Sequence, residues 1–287
     1  MKLPRPLENA YTIVEQTLRK YSADNGGLVA AAISFYVFLT FVPLLVLAVV
    51  VLGYLIGSPS NARDFVVTHA GEYLSPTGEG ARYIADIVDG VIEGSGTATV
   101  ISVILLLWTG TTVLATIERA INLAWDIETP RGLVRQRLVA LGMLVLIGAL
   151  LGVSTGFTGA FLAMQRGAVN GIHPEQWSLF WGVLAYLTPL LVTVLTFTLI
   201  YRILPNTRVG WGVALVGGGF AGVLWEVAKV GFSFYLAHFG HYEKVYGSIA
   251  TLMLLLIWIN YSSTITVLGA EVASIWDRRH PREANQG

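Results

Sequence analysis

Six long apolar segments divide the chain, and short polar stretches separate them. They cover residues 28–57, 98–124, 133–163, 179–203, 209–237 and 247–276. Each is longer than the roughly 20 apolar residues that cross about 30 Å of hydrocarbon. We therefore predict an all-α fold, a polytopic membrane protein with six transmembrane helices.

An amphipathic segment precedes the first of these stretches. Within residues 1–27, apolar positions recur at alternating spacings of four and three, at Leu7, Tyr11, Val14, Leu18 and Tyr21. This spacing predicts an amphipathic helix. Two positions for this helix stay open. It lies either on the inner membrane surface, with its basic residues near anionic headgroups, or beneath the helix bundle, packed through the same stripe.

The connection at residues 58–97 is the longest between apolar segments, and it carries six acidic residues. A second stripe with helical spacing runs through it, formed by Tyr83, Ile84, Ile87, Val88, Val91 and Ile92. We expect one or two short amphipathic helices that cap the outer mouth of the bundle. The alternative is a re-entry segment that lies on the membrane interface.

Basic residues predict the orientation of the chain. Thirteen Lys and Arg residues lie in or beside the first 27 residues, the second and fourth connections and the C-terminal tail. Four lie on the opposite side. Cytoplasmic loops carry such an excess, so both termini are predicted to be cytoplasmic. The predicted organisation is a cytoplasmic segment at 1–27, a transmembrane domain at 28–276 and a cytoplasmic tail at 277–287.

Composition agrees with a membrane location. The chain is 54% hydrophobic and only 13% charged, which leaves too little polar surface for a soluble globule. Membrane lipids are the expected partners, and no nucleic-acid partner is expected because a basic binding surface is lacking. Cysteine is absent, which excludes disulfides and thiolate chemistry. The first 27 residues lack the apolar core of a cleavable signal, so the first segment should remain as a helix.

Small residues mark two expected helix contacts, because they allow close approach of backbones inside a membrane. One row is Gly148, Gly152, Gly156 and Ala160 on the third segment, and the other is Gly218 and Gly222 on the fifth. These rows fit packing within one subunit or between two, so a homo-oligomer stays open.

Ionisable side chains within apolar segments are the first candidates for function, because their burial in hydrocarbon is costly. Glu226 and Lys229 lie one helical turn apart on the fifth segment. They form either a structural pair, in which each neutralises the other, or a site for a lipid headgroup or a coupling ion.

A second candidate set lies near the cytoplasmic ends of the second and sixth segments, at Glu118, Arg119, Asn122 and Glu271. Glu271 follows Gly269 and Ala270, whose small size would let another helix approach the carboxylate. We expect Arg119 or Arg202 to be its partner on that helix.

Polar residues near mid-depth form a third set. They are Tyr36 and Thr40 on the first segment, Trp108, Thr109, Thr111 and Thr112 on the second, and Asn260 on the sixth. They would line a continuous polar path, unless the threonine hydroxyls bond to their own helix backbones, which is the commoner use. Pro43 predicts a break or kink beside this set.

Catalytic, metal and cofactor sites are not expected. The sequence has no phosphate loop, no His-Glu-x-x-His and no Gly-x-Ser-x-Gly elbow. His238, His241 and Glu243 have loose spacing for a metal site, and interfacial polar residues explain them better.

The chain also resembles the YihY/BrkB family of bacterial inner-membrane proteins. The resemblance rests on these motifs in order: Ala30–Tyr36 with Phe41–Leu44, Leu204-Pro205-Asn206, Trp225-Glu226 with Lys229, Tyr246-Gly247-Ser248 and Gly269-Ala270-Glu271. It implies six spans with both termini inside. Family members have carried labels linked to virulence and serum resistance. They have also carried the name ribonuclease BN, which is regarded as a misassignment.

Three functions follow from these residues. The leading hypothesis is a non-enzymatic transporter or flippase-like exporter of an amphipathic or lipid-linked substrate, suggested by Glu226, Lys229 and Glu271. The alternative is a membrane scaffold or envelope-assembly factor, in which the buried charges are structural. A third is an intramembrane enzyme that acts on lipid, with Glu271 as general base.

Overall fold

A computed structural model describes residues 5–56, 60, 63–64, 67, 85–86, 89, 95–129, 131–165, 178–239 and 249–280. Seven long helices account for most of this part of the chain, which contains no strand. They are α1 (Arg5–Ala23), α2 (Gly26–Ile56), α3 (Ser95–Ala124), α4 (Leu133–Gln165), α5 (Ser178–Ile203), α6 (Trp211–Phe239) and α7 (Ile249–Arg279). The predicted all-α class is confirmed.

Helices α2 to α7 coincide with the six apolar segments, and their ends differ from the predicted ends by three residues at most. Four helices in the described part have the length and hydropathy of a membrane span, over Val103–Ala124, Leu133–Leu150, Trp211–Tyr235 and Leu252–Arg279. The pair α1 and α2 would make a fifth if it were counted as one interrupted span. A membrane-spanning helical protein is therefore confirmed, and the count of six spans stays a prediction.

Two helix ends depend on residues in the left-handed backbone region. Asn25, between α1 and α2, has φ 53°, and Asp126, just after α3, has the same value. Asn and Asp tolerate this conformation better than other non-glycine residues. Gly26 follows the first of these turns, and a Cβ there would lie 2.3 Å from Cδ2 of Tyr21. The turn therefore requires glycine at this position.

Of the break or kink predicted at Pro43, the break is wrong, and the kink stays a prediction. Helix α2 continues from Gly26 to Ile56 with Pro43 inside it. By contrast, α5 ends at Ile203, directly before Leu204 and Pro205, as the proline predicts.

The chain divides into two compact units, which we describe separately. Unit 1 comprises Met1–Gly27, Ile117–Val227 and Ile265–Gly287. Unit 2 comprises Leu28–Thr116 and Ala228–Thr264.

Unit 1 is held together by close contacts of α5 with α6 and α7. A Cβ on Gly218 would lie 2.7 Å from the backbone nitrogen of Thr198, and one on Gly269 would lie 2.3 Å from the hydroxyl of Tyr201. That hydroxyl is fully buried and donates to the carbonyl of Thr266 at 2.8 Å. Glycine therefore lets these backbones approach, and buried polar groups find partners across the contact.

The two predicted glycine rows differ. A Cβ on Gly222 would meet Val194 Cγ2 at 2.5 Å, so the row on α6 is a packing seam, as predicted. Among the described residues, nothing lies within 4 Å of where a Cβ on Gly148 or Gly152 of α4 would lie. The described part therefore gives no support for a seam within this chain at these two positions, and packing between two subunits stays open.

Helix α1 packs through its polar side. Thr17 is 3% exposed, whereas Tyr11, Val14 and Leu18 are 64%, 52% and 57% exposed. Packing beneath the bundle through the apolar stripe is therefore excluded for these residues, and contact with the membrane surface stays the prediction.

The stripe predicted in residues 58–97 lies outside the described residues. The described positions of this connection are helical, at 60, 63–64, 67, 85–86 and 89. Among them, Nη2 of Arg63 donates to Oδ2 of Asp89 at 2.6 Å and joins distant parts of the connection.

Candidate functional site

Two polar clusters lie within unit 1. We call the first the arginine clamp, which consists of Glu118, Asn122, Arg131, Gln136 and Asn206. We call the second the lysine cluster, which consists of Lys20, Asp24, Asp126, Glu271 and Arg278. Each cluster contains one buried glutamate from a membrane-spanning helix.

Arg131 is the centre of the arginine clamp. Its guanidinium donates to the carbonyls of Leu204 at 3.0 Å, Pro205 at 2.6 Å and Ile203 at 3.3 Å. Nε donates to Oδ1 of Asn206 at 3.2 Å. The last carbonyls of a helix lack partners within the helix, and Pro205 cannot continue α5. Arg131 therefore supplies the donors that this helix end needs.

Asn122 fixes the same turn to α3. Its Oδ1 accepts a hydrogen bond of 2.7 Å from the backbone N–H of Asn206. The side-chain amide of Asn206 in turn donates to the carbonyl of Thr129 at 2.8 Å. The Leu-Pro-Asn motif is thus a turn held from both sides by residues of α3 and the following loop.

Glu118 lies one helical turn before Asn122 and is completely buried. Oε1 is 3.7 Å from Nη1 of Arg131, but neither carboxylate oxygen has a partner within hydrogen-bond geometry. Arg131, the buried Gln136 and the exposed Arg119 are the groups that favour its negative charge. An ionised carboxylate in this environment is incompletely compensated.

Lys20 is the centre of the lysine cluster. Its ammonium lies 2.8 Å from Oδ2 of Asp24 and 2.9 Å from Oδ1 of Asp126. Arg278 also donates to Asp126, and to the carbonyl of Ala124 at 3.2 Å. These contacts connect α1, the end of α3 and the end of α7.

Glu271 is the buried acid of the lysine cluster, with 1% of its surface exposed. Its Oε2 has no hydrogen-bond partner. The charged groups that act on it are Lys20, Asp24 and Arg278. The predicted partners were wrong. Arg119 is exposed, and Arg202 donates to the carbonyl of Val209 and lies 5.3 Å from the ring centre of Trp211.

Asp126 and Lys20 lie outside the four helices that have the length and hydropathy of a membrane span. Partial burial disfavours the charged form of Asp126, but hydrogen bonds from Lys20 and Arg278 outweigh it and hold the pKa of this carboxyl below its ordinary value. For Lys20, burial acts against the charge, but hydrogen bonds to Asp24 and Asp126 raise the pKa of the ammonium. Both groups therefore remain ionised around neutral pH.

The mid-depth polar residues belong to unit 2, and their threonines follow the commoner alternative. The hydroxyls of Thr109, Thr111 and Thr112 each donate to the carbonyl four residues earlier, and Thr40 does the same to Tyr36. Trp108 is 68% exposed. These hydroxyls are therefore engaged with their own helices.

A contact that the sequence did not suggest joins α2 and α7 within unit 2. Oγ of Ser34 lies 3.1 Å from Oγ of Ser263, and the amide of the exposed Asn260 lies 3.4 Å from Ser34 Oγ. Of these three, only Asn260 was a candidate. The helical spacing of Asn260 and Ser263 was the available signal.

Glu226 and Lys229 are both half-buried on α6. Glu226 belongs to unit 1 and Lys229 to unit 2, and their mutual pairing stays a prediction. The three residues His238, His241 and Glu243 have side chains outside the described part. Within the described part, no group of three His, Asp or Glu residues could hold a metal ion.

Sequence reasoning missed most of the bases and acids that surround the buried glutamates. Arg131 was counted only for orientation, and Lys20, Asp24, Asp126 and Gln136 were not candidates. The signal for Arg131 was its position beside a helix start in a basic connection. Asp24 and Asp126 lie in the turns that follow α1 and α3, and no pattern in the sequence marked them.

Comparisons with known proteins identify relatives along nearly the whole chain. A family model described as Virulence factor BrkB matches residues 17–287. A UPF0761 membrane protein of Rhodospirillum centenum is 30% identical over 95% of this chain and 59% of its own length. A UPF0761 membrane protein of Nitrosospira multiformis is 27% identical over 99% of this chain and 65% of its own length. Another, of Tolumonas auensis, is 29% identical over 88% of this chain and 81% of its own length.

The chain thus spans less than two thirds of the length of the first two of these relatives. No solved structure matches the chain.

Proposed function

We propose that the chain, which belongs to the Virulence factor BrkB family, is a transporter or flippase-like exporter of an amphipathic or lipid-linked substrate. The relatives described above are named only as membrane proteins. Its location in this proposal is the bacterial inner membrane, with both termini in the cytoplasm. Reporter fusions at each terminus test that orientation.

The burial of Glu118 and Glu271 carries the proposal. These residues come from two different membrane-capable helices, are 0% and 1% exposed, and each has a carboxylate oxygen without a hydrogen-bond partner. Ionisable groups in membrane-spanning segments are costly, and they commonly mark substrate or ion pathways. Buried polar groups without partners are also rare unless they have a role.

The exposed stripe of α1 supports an amphipathic substrate. Tyr11, Val14 and Leu18 face away from the unit to which the polar side of α1 is bound. The apolar face of an amphipathic helix is stably buried at the boundary between headgroups and acyl chains. Such a substrate has a polar part for the buried charges and an apolar part that stays in lipid.

The first experiment measures movement of fluorescent phospholipid between leaflets of liposomes that contain the purified protein. Wild type is compared with Glu118→Gln, Glu271→Gln and Glu226→Gln. The matched control is Glu128→Gln, because Glu128 is an exposed acid in the loop after α3. We expect movement in wild type and in the control, and at least a tenfold loss in Glu271→Gln, Glu118→Gln and Glu226→Gln.

Normal movement in all three glutamine variants would remove these residues from the pathway. Absence of movement in wild type, together with a stable protein that copurifies with it, would favour the scaffold. The proposal also treats the protein as non-enzymatic, so labelled lipid should be recovered chemically unchanged. Turnover of that lipid would support the enzyme instead.

A further inference from the structure

An exposed face of α7 lies within unit 2, on the span Leu252–Arg279. Its residues recur at i, i+1, i+4, i+5, i+8 and i+9, which keeps them on one side of the helix. Five of them are large hydrophobic residues that are 40–59% exposed, and the sixth is an exposed asparagine. We call this the α7 face, and it consists of Leu252, Met253, Leu256, Ile257, Asn260 and Tyr261.

Asn260 is the amide of the α7 face, and it lies deep in the span. At about 1.5 Å of rise per residue, it is about 12 Å along the helix from Leu252, in hydrocarbon about 30 Å thick. Lipid tails offer no hydrogen-bond donor or acceptor, so a carboxamide that faces them loses the bonds that water would supply. An exposed Asn260 therefore needs a polar partner at this depth.

Contacts within unit 2 satisfy only part of this amide. Its nitrogen donates to Oγ of Ser34 at 3.4 Å, which is long for a hydrogen bond. The hydroxyls of Ser34 and Ser263 donate to the carbonyls of Ala30 at 2.6 Å and Ile259 at 2.8 Å. In the part of the chain that the structure describes, no hydrogen bond reaches Oδ1 of Asn260. An amide has two N–H donors and a carbonyl acceptor, so one donor and the acceptor are left for a partner.

A second copy of this chain offers that partner. We propose that two chains form a symmetric dimer through the α7 face, in which each Asn260 donates to Oδ1 of Asn260 of the partner subunit. Both copies enter the membrane in the same orientation, so a two-fold axis along the membrane normal brings the same positions of α7 together at the same depth. The carboxamide is self-complementary under this symmetry, because each amide supplies one donor and one acceptor. This inference concerns assembly and does not rest on transport.

The spacing of the α7 face is that of two parallel helices in contact. Met253, Leu256 and Asn260 are three and four residues apart, the repeat that keeps two helices together along a left-handed seam. A single asparagine in such a seam specifies the number of strands and their register. Hydrogen bonds between asparagine side chains also support association inside membranes, where apolar surface alone gives little preference for protein over lipid. The apolar residues of the face thus supply packing, and Asn260 makes the contact specific.

The first test measures association of the purified full chain in lipid bilayers, by single-molecule photobleaching of a dye on the C-terminus at increasing ratios of protein to lipid. We expect wild type to bleach in two steps, which indicates dimers. Asn260→Leu should need about tenfold more protein per lipid for the same dimer fraction, because two hydrogen bonds between helices are lost. The matched control is Thr112→Val, because the hydroxyl of Thr112 donates to Trp108 on its own helix.

Cysteine cross-linking tests the geometry, because the chain contains no cysteine of its own. Ile257→Cys lies one turn before Asn260 on the α7 face and keeps the asparagine. An added oxidant should join two copies in the membrane through this position, and the further change Asn260→Leu should reduce the joined fraction. The control is Val230→Cys on α6, which is 72% exposed and lies outside the α7 face.

A monomeric wild type at every ratio, or an unchanged dimer fraction in Asn260→Leu, would overturn the proposal. Cross-linking through Gly148→Cys but not through Ile257→Cys would overturn it in favour of the glycine row on α4. If Asn260→Leu does not fold, absence of cross-linking in Ile257→Cys contradicts the dimer by itself.

Lipid movement in the same liposomes separates this proposal from the proposed function. If wild type is monomeric and Asn260→Leu slows lipid movement, Asn260 contacts substrate, so the dimer fails while the proposed function stands. If dimers form and depend on Asn260 but no lipid moves, the proposed function fails while the dimer stands.

Discussion

The arginine clamp and the lysine cluster each place a buried glutamate of unit 1 near a base, yet the two bases are used differently. Arg131 donates to three backbone carbonyls and one side-chain amide, and its distance to Glu118 is 3.7 Å. Lys20 binds two carboxylates. A planar guanidinium has five fixed donors that suit several acceptors at once, whereas an ammonium acts as a mobile point charge.

This difference separates a base whose hydrogen bonds do not depend on pH from a base whose ion pairs do. The carbonyl and amide acceptors of Arg131 do not titrate, so the clamp keeps its hydrogen bonds when pH changes. The acceptors of Lys20 are acids, so protonation changes their attraction for it. The comparison teaches that two equally buried glutamates can lie beside bases that respond differently to pH.

Replacement of Arg131 should have the largest effect. Arg131→Met leaves three carbonyls without donors and Glu118 without its closest base. We expect a loss of about 3–5 kcal/mol in the free energy of unfolding, as when one partner of a buried pair is removed. Reversible unfolding in mixed micelles measures this. The matched control is Arg135→Met, because Arg135 is an exposed arginine in the first turn of α4.

If Arg131→Met and Arg135→Met lowered the free energy of unfolding equally, the clamp would stabilise the fold no more than an ordinary exposed arginine does. A second measurement adds Glu118→Gln to the Arg131→Met variant. The double variant should recover part of the loss, because no uncompensated carboxylate remains.

Replacement of Asn122 should have the next largest effect. Asn122→Ala removes the acceptor of the Asn206 N–H, and a donor left unsatisfied costs about 1–3 kcal/mol. Its effect should be less than additive with Arg131→Met, because both residues hold the same turn. Strict additivity in the double-mutant cycle would show that the two contacts act independently.

The fold could be predicted well from the sequence, because hydrocarbon imposes a simple requirement on segment length and apolarity. All six helices α2 to α7 follow from that requirement, and α1 follows from its stripe. The exception was the break predicted as one of two effects of Pro43. A proline predicts a missing hydrogen bond but does not by itself end a helix.

The candidate site could be predicted only in part. Glu118, Asn122 and Glu271 stand out because polar side chains are rare in apolar segments. Their partners Arg131 and Lys20 lie in polar segments where basic residues are common, so no contrast marks them. Contacts between residues far apart in the chain, such as Lys20 with Asp126, depend on helix packing that periodicity does not specify.

Replacement of Lys20 should have a smaller effect than either change in the clamp. Lys20→Met removes two partly exposed ion pairs, which predicts a loss of about 1 kcal/mol. Asp24→Asn in the same background should reduce the loss, because one unpaired acid is removed. The loss should also shrink in acid, where the carboxyl groups protonate. A loss as large as that of Arg131→Met, unchanged by pH, would contradict a cluster whose ion pairs depend on pH.

The smallest effect concerns the pH dependence contributed by Asp126. Its pKa is below the ordinary value in the folded state, so the unfolded chain binds a proton first as pH falls. Its contribution is complete above the ordinary aspartate pKa of about 3.9 and is lost as pH falls through the lower folded value. Because Asp126 is exposed, we expect wild type to exceed Asp126→Asn by about 0.5 kcal/mol or less at neutral pH. The difference should vanish in stronger acid. A difference that stays constant from neutral pH to acid would mean that Asp126 stabilises the cluster by packing, and that the lysine cluster is as insensitive to pH as the clamp at this position.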